Sequence, residues 1–501
     1  MANTSDDKRR LSFLDASFLY GESAVNPTHV GSIFRIEGEL SFERVVHHLQ
    51  QRLHISPRFR QRLVFAPFNL AHPTLEDDPN FDLKNHVHLQ QLPFGIDETE
   101  AIQEIVRRHF ARVMDRTRPL WDFTLYEGLP GISLVVWAMH HAVVDGVSGF
   151  EMLNGLMDFT PNPRPEIPPK LPAPPTLPTT TESFVRAAHD LAVEQIDTAV
   201  RNTQELMRNP AGTLETLIAA SRLLTELAQP AIASPWNAGM AVGTRHLSWL
   251  KMALADYRAI RNAFGGTIND IVLTVLGEGA ARYLQHHGWP TDGMLRFACP
   301  VNVRRPGEEV TLENRISTIM PTTPAAPFDV IERLKLITQQ TKHLKQSGAP
   351  YIMERMTSLA ASIPPAVMGA ASTIGAATTE LIAGLIRAMN WTAPRGGMGV
   401  PAPSMNFVAT NVPGPQTAWY FAGHKVTDML GLLPLGGNLG YGVGITSYDQ
   451  NIIFSMMSDS RLMPDPEQMK AFVQEAFEEL LQRVPMNVVQ ESVAARRAEA
   501  A

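Results

Sequence analysis

Residues Ile132 to Phe150 read ISLVVWAMHHAVVDGVSGF, and this stretch decides how the rest of the chain is understood. Eight largely apolar residues, Ile132 to Met139, have the length and the β-branched and aromatic content of a buried strand. Two histidines follow, then Asp145 and Gly146 break the run, and Phe150, Leu153 and Met157 recur at helical spacing. The reading is strand, loop, helix, with His140, His141 and Asp145 on the connection. Successive side chains on an extended segment point to opposite faces, so the two histidines enter the same pocket only if the strand has already ended. One therefore faces a cleft while the other packs. That weakens a metal site, which needs convergent ligands, and favours a single imidazole acting as acid or base near neutral pH. The ordinary role of Asp145 is to cap the following helix, and this is compatible with a role in the site.

With 16 His and 34 Gly in 501 residues, the pattern H-H-x-x-x-D-G is expected by chance on the order of a few times per thousand such chains. At these residues the chain resembles the CoA-dependent acyltransferase superfamily, which includes chloramphenicol acetyltransferases and peptide-synthetase condensation domains. More narrowly, it resembles the bacterial wax ester synthase/acyl-CoA:diacylglycerol acyltransferases. The narrower likeness rests on LSFLDASFLY (Leu11 to Tyr20) followed by Pro27-Thr-His-Val-Gly31, and on RPLW (Arg118 to Trp121) and TINDIVL (Thr267 to Leu273). PVNVR (Pro300 to Arg304), NVPGP (Asn411 to Pro415) and the SYD segment (Ser447 to Asp449) complete it, in the expected order. The Asp-Phe-Gly-Trp-Gly motif of other branches is absent, so accounts of that element do not transfer.

Composition sets outer bounds. A chain of 501 residues exceeds one ordinary core, and 44% apolar content is that of a folded globular protein. The net charge of −7, with 43 basic and 50 acidic residues mixed along the chain, leaves no nucleic-acid footprint. A single cysteine, Cys299, excludes an internal disulfide and fits a reducing compartment. Lys8, Arg9 and Arg10 precede an apolar stretch that Asp15 interrupts, which is not a signal-peptide layout, so a cytoplasmic protein is expected. Pro364 to Met389 is the most membrane-like stretch, yet Glu380 and Arg387 interrupt it. It reads as a helix packed on the body or lying at a lipid surface, consistent with peripheral contact with a membrane or lipid droplet.

Along the chain, strands are expected at Val30–Ile36, Trp121–Tyr126 and Ile132–Met139, the last two paired through a turn at Gly128, Pro130 and Gly131, with helices at Phe42–Leu53 and Glu98–Arg116. Nine of the eighteen residues from Pro161 to Pro178 are proline, a composition suited to an extended linker. The expected division is 1–160, an N-terminal acyltransferase domain; 161–182, a linker; and 183–501, a C-terminal acyltransferase-like domain. Helices are read at Phe184–Val200, Leu214–Leu227, Ile268–Leu284 and Val330–Leu344. Strands are read at His246–Leu250, Leu295–Val303, Arg315–Met320, Met405–Thr410, Gly442–Ser447 and Ile452–Met457, the last two joined by a tight turn. The class is α/β. The resemblance implies two chloramphenicol-acetyltransferase-like halves, each a mixed sheet flanked by helices, with a tunnel at their interface.

Thr267 and Asp270 suit a capping box, which leaves Asn269 unexplained; an amide there can donate to a substrate carbonyl or a developing oxyanion. The family motif places Asn269 and Asp270 at the substrate. Pro119, Leu120 and Trp121 read physically as a strand start with Trp121 in the core, and the resemblance moves them toward shaping the pocket. Asn411–Pro415 is rigid turn chemistry with an architectural role. In the superfamily the motif aspartate turns away from the substrate and pairs with an arginine, which implies Arg304 as partner of Asp145, with Arg305 and Arg315 as rivals. No G-x-S-x-G elbow, Walker A loop, H-E-x-x-H or dinucleotide fingerprint occurs.

The resemblance thus implies acyl transfer from long-chain acyl-CoA to a fatty alcohol, diacylglycerol or both. His141 is the general base, His140 supports the loop, and Asn269 or a backbone amide near Gly146 stabilises the oxyanion. No metal and no cofactor beyond the acyl-CoA substrate are implied. Two alternatives stand beside this. One is the same chemistry on a small-molecule acceptor in natural-product biosynthesis, marked by dependence on a carrier-protein donor. The other is a non-catalytic lipid-droplet protein, in which loss of His141 would change nothing.

Overall fold

A computed structural model of the protein describes residues 10–144, 146–162, 176–189, 193, 204, 207–208, 231–302, 316–346 and 405–485. Asp145, Arg304, Arg305, Arg315 and the stretch 364–389 lie outside the described residues, as do most of the proline-rich segment and of the helices expected at 184–200 and 214–227.

The chain begins with α1 (Phe13–Gly21), β1 (His29–Glu37) and α2 (Phe42–Arg52), followed by the short hairpin β2 (Gln61–Val64) and β3 (Thr74–Asp77). Next come β4 (Val87–Gln91), α3 (Glu98–His109), β5 (Trp121–Glu127), β6 (Ile132–His140) and α4 (Gly146–Leu156). β6 is buried on both faces from Ser133 to His140, which is why it reads as a continuous apolar run. It pairs antiparallel with β5 on one side and with β1 on the other, with His29 opposite His140. Gly31, opposite Ala138, is required by close approach: a Cβ there would meet the Trp137 carbonyl oxygen at 2.3 Å. α3 stops at His109, short of the expected Arg116, because Phe110 leaves the helix to pack in the core against His29, ring centroids 5.3 Å apart.

The second half supplies β7 (Arg245–Ala253), α5 (Leu254–Phe264), α6 (Ile268–His286), β8 (Met294–Asn302), β9 (Ile316–Ile319), β10 (Thr322–Pro324) and α7 (Val330–Gln346). β11 (Phe407–Pro413), β12 (Tyr420–Phe421), β13 (His424–Leu432), β14 (Tyr441–Tyr448), β15 (Asn451–Asp459) and α8 (Pro466–Gln482) follow. α6 is buried almost throughout, packed against α5, α7 and α8, and at Gly277 it lies close to Phe297 of β8 and Thr323 of β10. β14 and β15 form the expected hairpin, whose turn places Asp449 and Gln450 at positive φ, the backbone of a tight two-residue turn. The chain is α/β, as its alternating pattern implies.

The two sheets do not divide the chain into contiguous pieces. Among the described residues the first has the order β12-β13-β1-β6-β5-β4 and the second β10-β8-β11-β14-β15-β7, with β9 on β8. Residues 420–432 therefore leave the second half to complete the first sheet, and β13 is a strand that the sequence pattern does not announce. β13 mixes buried Val426, Met429, Leu430 and Leu432 with polar residues that find partners only in place. Asp428 pairs with Lys251 at 2.6 Å, and the Thr427 hydroxyl, at a bulge opposite Arg35, accepts from Arg35 at 3.0 Å. The halves also meet where Gln103 of α3 caps the free edge of β7, its amide donating to Leu247 O at 2.7 Å and accepting from Leu247 N at 3.1 Å.

Tyr448 locks the crossing segment. Its buried hydroxyl accepts from Trp419 N–H and donates to Val426 O, both at 2.8 Å. Tyr448→Phe orphans both groups and is expected to cost about 1–3 kcal/mol, read as a lowered unfolding midpoint; an unchanged midpoint would show that the crossover does not need this bridge.

Candidate active site

The end of β6 delivers the histidine pair with its backbone pinned on both sides. His140 N–H donates to Leu120 O at 3.0 Å and His141 N–H to Thr28 O at 3.2 Å, while Val143 N–H returns to His140 O at 3.1 Å and closes a turn. The two side chains consequently diverge. His140 is fully buried and His141 is half-buried.

His140 is committed to structure. Its Nδ1 accepts the Ala142 N–H at 3.0 Å, which assigns the ring proton to Nε2. Nε2–H then faces Thr28 Oγ1 at 3.2 Å and Glu22 Oε1 at 3.3 Å. Burial works to raise the Glu22 carboxyl pKa, but hydrogen bonds from His140, Thr28 N–H and Arg116 outweigh it and lower the pKa, so Glu22 is ionised. Nearby, burial lowers the His29 pKa to about 4, and its Nε2–H donates to His109 O at 2.9 Å. His29 is a neutral core imidazole.

His141 rests against Phe18, ring centroids 4.0 Å apart and planes 8° from parallel. Phe18 is placed by α1, and α1 by its own sequence. Ser12 Oγ accepts Asp15 N–H at 3.1 Å and Asp15 reaches back to Ser12 N–H at 3.4 Å, a capping box that fixes where the helix starts. Leu11 N–H bonds Pro73 O at 2.9 Å, and the rings of Phe13 and Tyr20 pack on His72. Phe18 and Glu22 are four residues apart at the end of this helix, and they reach His141 and His140 respectively. Phe18 lies within the LSFLDASFLY segment and Glu22 two residues beyond it, and their four-residue spacing is the only sign in the sequence that links them.

Pro119, Leu120 and Trp121 are buried. Trp121 donates its indole N–H to Phe59 O at 2.9 Å and stacks on His86 at 4.5 Å, which is core packing. Leu120 reaches the site through its backbone, as the acceptor for His140. Asp270 is 2% exposed and both of its oxygens are engaged: Oδ2 with the N–H and hydroxyl of Thr267, each at 2.8 Å, and Oδ1 with the Thr341 hydroxyl at 2.7 Å. The capping box and Thr341 together take up both oxygens of Asp270 within the protein. Asn269 is half-buried, and its Oδ1 accepts from Asn411 Nδ2 at 3.3 Å, joining the α6 start to the NVPGP segment.

That segment meets the motif helix. Gly414 lies against Phe150 of α4, where a Cβ would come within 2.7 Å of the Phe150 ring and 2.3 Å of Ser447 O. Phe150 also packs on Trp419 at 5.1 Å. Elements of both halves therefore border the connection that begins at His140, and α4 opens at Gly146. Among the described residues no group of three or more His, Cys, Asp or Glu is arranged to hold a metal ion.

The chain matches the family model described as the wax ester synthase/diacylglycerol acyltransferase catalytic domain over residues 11–272, and that of the WS/DGAT C-terminal domain over residues 312–481. It is similar to a putative diacylglycerol O-acyltransferase of Mycobacterium bovis, 27% identical over 484 residues that cover 94% of this chain and 95% of that protein. A probable diacylglycerol O-acyltransferase of Mycobacterium tuberculosis is likewise 27% identical, with coverage of 94% and 95%. Among solved structures it is similar in fold to the wax ester synthase/diacylglycerol acyltransferase from Marinobacter aquaeolei, with TM-score 0.64, 22% identity and coverage of 95% and 99%. It also resembles the fold of the starter condensation domain of rhizomide synthetase RzmA in complex with C8-CoA and Leu-SNAC, with TM-score 0.54, 13% identity and coverage of 96% of each chain.

Asp270→Ala keeps the Thr267 cap on the backbone N–H of residue 270 but removes three side-chain hydrogen bonds, two from Thr267 and one from Thr341, and is expected to cost about 1–3 kcal/mol, whereas Asn269→Ala is expected to leave denaturant stability nearly unchanged; equal losses would make both structural. Burial also holds His29, His48 and His72 at pKa values of about 4 and His109 well below its ordinary value. The unfolded chain binds protons at these four sites from about pH 6.5 downward while the folded chain does not. Stability should therefore fall as pH drops from 6.5 to 4, above the range below about pH 4.5 in which the Glu22 contribution is lost. A urea midpoint flat across pH 6.5 to 4 would contradict this.

Proposed function

The chain belongs to the wax ester synthase/diacylglycerol acyltransferase family, and on that premise we propose that His141 is the general base of its acyl transfer. The protein is an O-acyltransferase of a family that uses acyl-CoA and forms wax esters and triacylglycerol. The observation that carries the proposal is the division of labour between adjacent imidazoles. His140 has its Nδ1 occupied by the Ala142 amide, whereas His141 is half-buried at the end of the same strand.

In the proposed step, neutral His141 takes the proton of an acceptor hydroxyl as its oxygen attacks the thioester carbonyl of long-chain acyl-CoA. The tetrahedral intermediate collapses with loss of the CoA thiolate, which takes the proton back from the imidazolium. No side-chain nucleophile is needed. A base of this kind contributes about 10²–10⁴ in rate, and positioning of two chains in a water-poor tunnel between the halves supplies much of the remainder. Phe18, stacked on the ring, favours the imidazolium through its π face. Asn269, whose oxygen faces Asn411 and whose amide N–H₂ is a donor, or the backbone amide near Gly146, stabilises the oxyanion. Asp145 paired with Arg304 would hold the loop, and Leu120, between Pro119 and Trp121, shapes the site by anchoring the His140 backbone. The acceptors are diacylglycerol and long-chain alcohols; the names of the mycobacterial relatives support the first.

No helix among the described residues is long and apolar enough to cross a membrane. Because donor and acceptor are lipids, peripheral contact with the inner membrane or lipid inclusions, from the cytoplasmic side, completes the reading.

The test is CoA release from palmitoyl-CoA by purified protein with hexadecanol or dioleoylglycerol. His141→Ala is expected to lose about 10²–10⁴ of kcat with its circular dichroism unchanged; a variant that keeps its kcat would end the general-base reading.

A further inference from the structure

Glu22 stands one residue beyond α1, and its side chain is 2% exposed. A buried carboxylate persists only where its oxygens are satisfied, and here the partners come from three separate parts of the chain. Oε1 faces Thr28 N–H at 3.1 Å and His140 Nε2 at 3.3 Å. Oε2 accepts from Arg116 at 3.0 Å, and Arg116 is itself tied to Leu19 O at 2.7 Å.

An ionised carboxylate only accepts hydrogen bonds, so it admits one His140 tautomer, with the proton on Nε2. That tautomer leaves the Nδ1 lone pair to take the Ala142 N–H at 3.0 Å. Reversing it would set N–H against N–H at Ala142 and a lone pair against a carboxylate at Glu22, in a fully buried position. Ala142 follows His141, so this bond orients the peptide plane on one side of the His141 Cα. The plane on the other side is held by His141 N–H on Thr28 O at 3.2 Å, and Thr28 is anchored to Glu22 by its own N–H. Rigid peptide planes on both sides of a Cα set φ and ψ, and with them the direction of its Cβ.

We propose that Glu22 is a positioning residue for acyl transfer: acting through His140 and Thr28, it aims the His141 imidazole without touching substrate. This rests on His141 being the base, and it adds a residue that lies outside the H-H-x-x-x-D-G motif. Phe18, from the same helix end, supplies the surface on which the aimed ring rests.

The experiment compares Glu22→Ala, Glu22→Gln, His140→Asn, the Glu22→Ala/His140→Asn double variant and His141→Ala with the wild type. It measures palmitoyl-CoA-dependent acylation of hexadecanol or dioleoylglycerol, together with the thermal midpoint of each protein. Glu22→Ala should lower kcat by about 10- to 100-fold, with KM for palmitoyl-CoA within about twofold. Glu22→Gln keeps an oxygen that accepts from Thr28 and His140, and should hold kcat within about fivefold of wild type. The double variant should be no slower than the slower single variant, because both changes break one chain of contacts. Losses that multiply, an unchanged kcat in Glu22→Ala, or a raised KM at constant kcat would each overturn the proposal. Should Glu22→Ala not fold, ¹⁵N-histidine NMR of the wild type decides, with His140→Asn assigning the signal: Nε2 protonated and Nδ1 bare supports the proposal, and any other form overturns it. An inactive His141→Ala beside a fully active Glu22→Ala sinks this inference alone, whereas an active His141→Ala sinks the general-base reading on which it rests.

Discussion

The register of β1 against β6 is the constraint on which the site depends. His29 lies opposite His140, and from there to Glu37 and Ile132 the ladder runs without a slip. Side chains alternate with a period of two, so moving β6 by one residue would exchange the faces of the two histidines and bury the wrong one. The register is held where it matters most. Gly31 permits close approach to the Trp137 carbonyl, and the strand end is tied to Leu120 on one flank and Thr28 on the other. β13 then covers the outer edge of β1, so the ladder cannot gain a partner from another chain at that edge.

Around this ladder the protein freezes two titratable groups in opposite states within one buried neighbourhood. Glu22 stays ionised because hydrogen-bond donors converge on it, and His29 stays neutral because burial disfavours its charge. The arrangement relies on α1, whose nine residues would be marginal alone in water. The helix is secured by its own capping box, by the Leu11 bond to Pro73 and by the Phe13 and Tyr20 rings packed against His72. A helix too short to stand unaided thus carries the contacts of both histidines, which ties their geometry to the tertiary fold.

The exchange of strands between halves has a mechanical consequence. With β12 and β13 in the first sheet and β14 and β15 in the second, the halves cannot part without tearing a ladder. The backbone bridge between Asp158 and Tyr420, at 2.7 and 2.8 Å, fastens the end of α4 to the crossing segment. Phe150 against Gly414 and Trp419 fastens its beginning. The motif helix is clamped at both ends by residues from the far part of the sequence, which limits the freedom of the loop that precedes it.

Much of this was legible in one dimension. The apolar run of β6 marks a buried strand, the paired histidines at its end are rare enough to mark a site, and the period of two requires that they diverge. Thr267 and Asp270 announce their capping box through spacing alone, and short-range patterns of this kind need only neighbouring residues. Partners distant in sequence decided the rest. β13 becomes a strand because Lys251 pairs with Asp428, Arg35 donates to the Thr427 hydroxyl and β1 offers an edge. Trp121 turns to the core because Phe59 accepts its indole proton. Glu22 is buried because Arg116, 94 residues further on, meets its carboxylate. Local periodicity is written in the residues that show it, whereas the burial of a polar side chain depends on which distant groups arrive beside it, and only the folded chain brings those together.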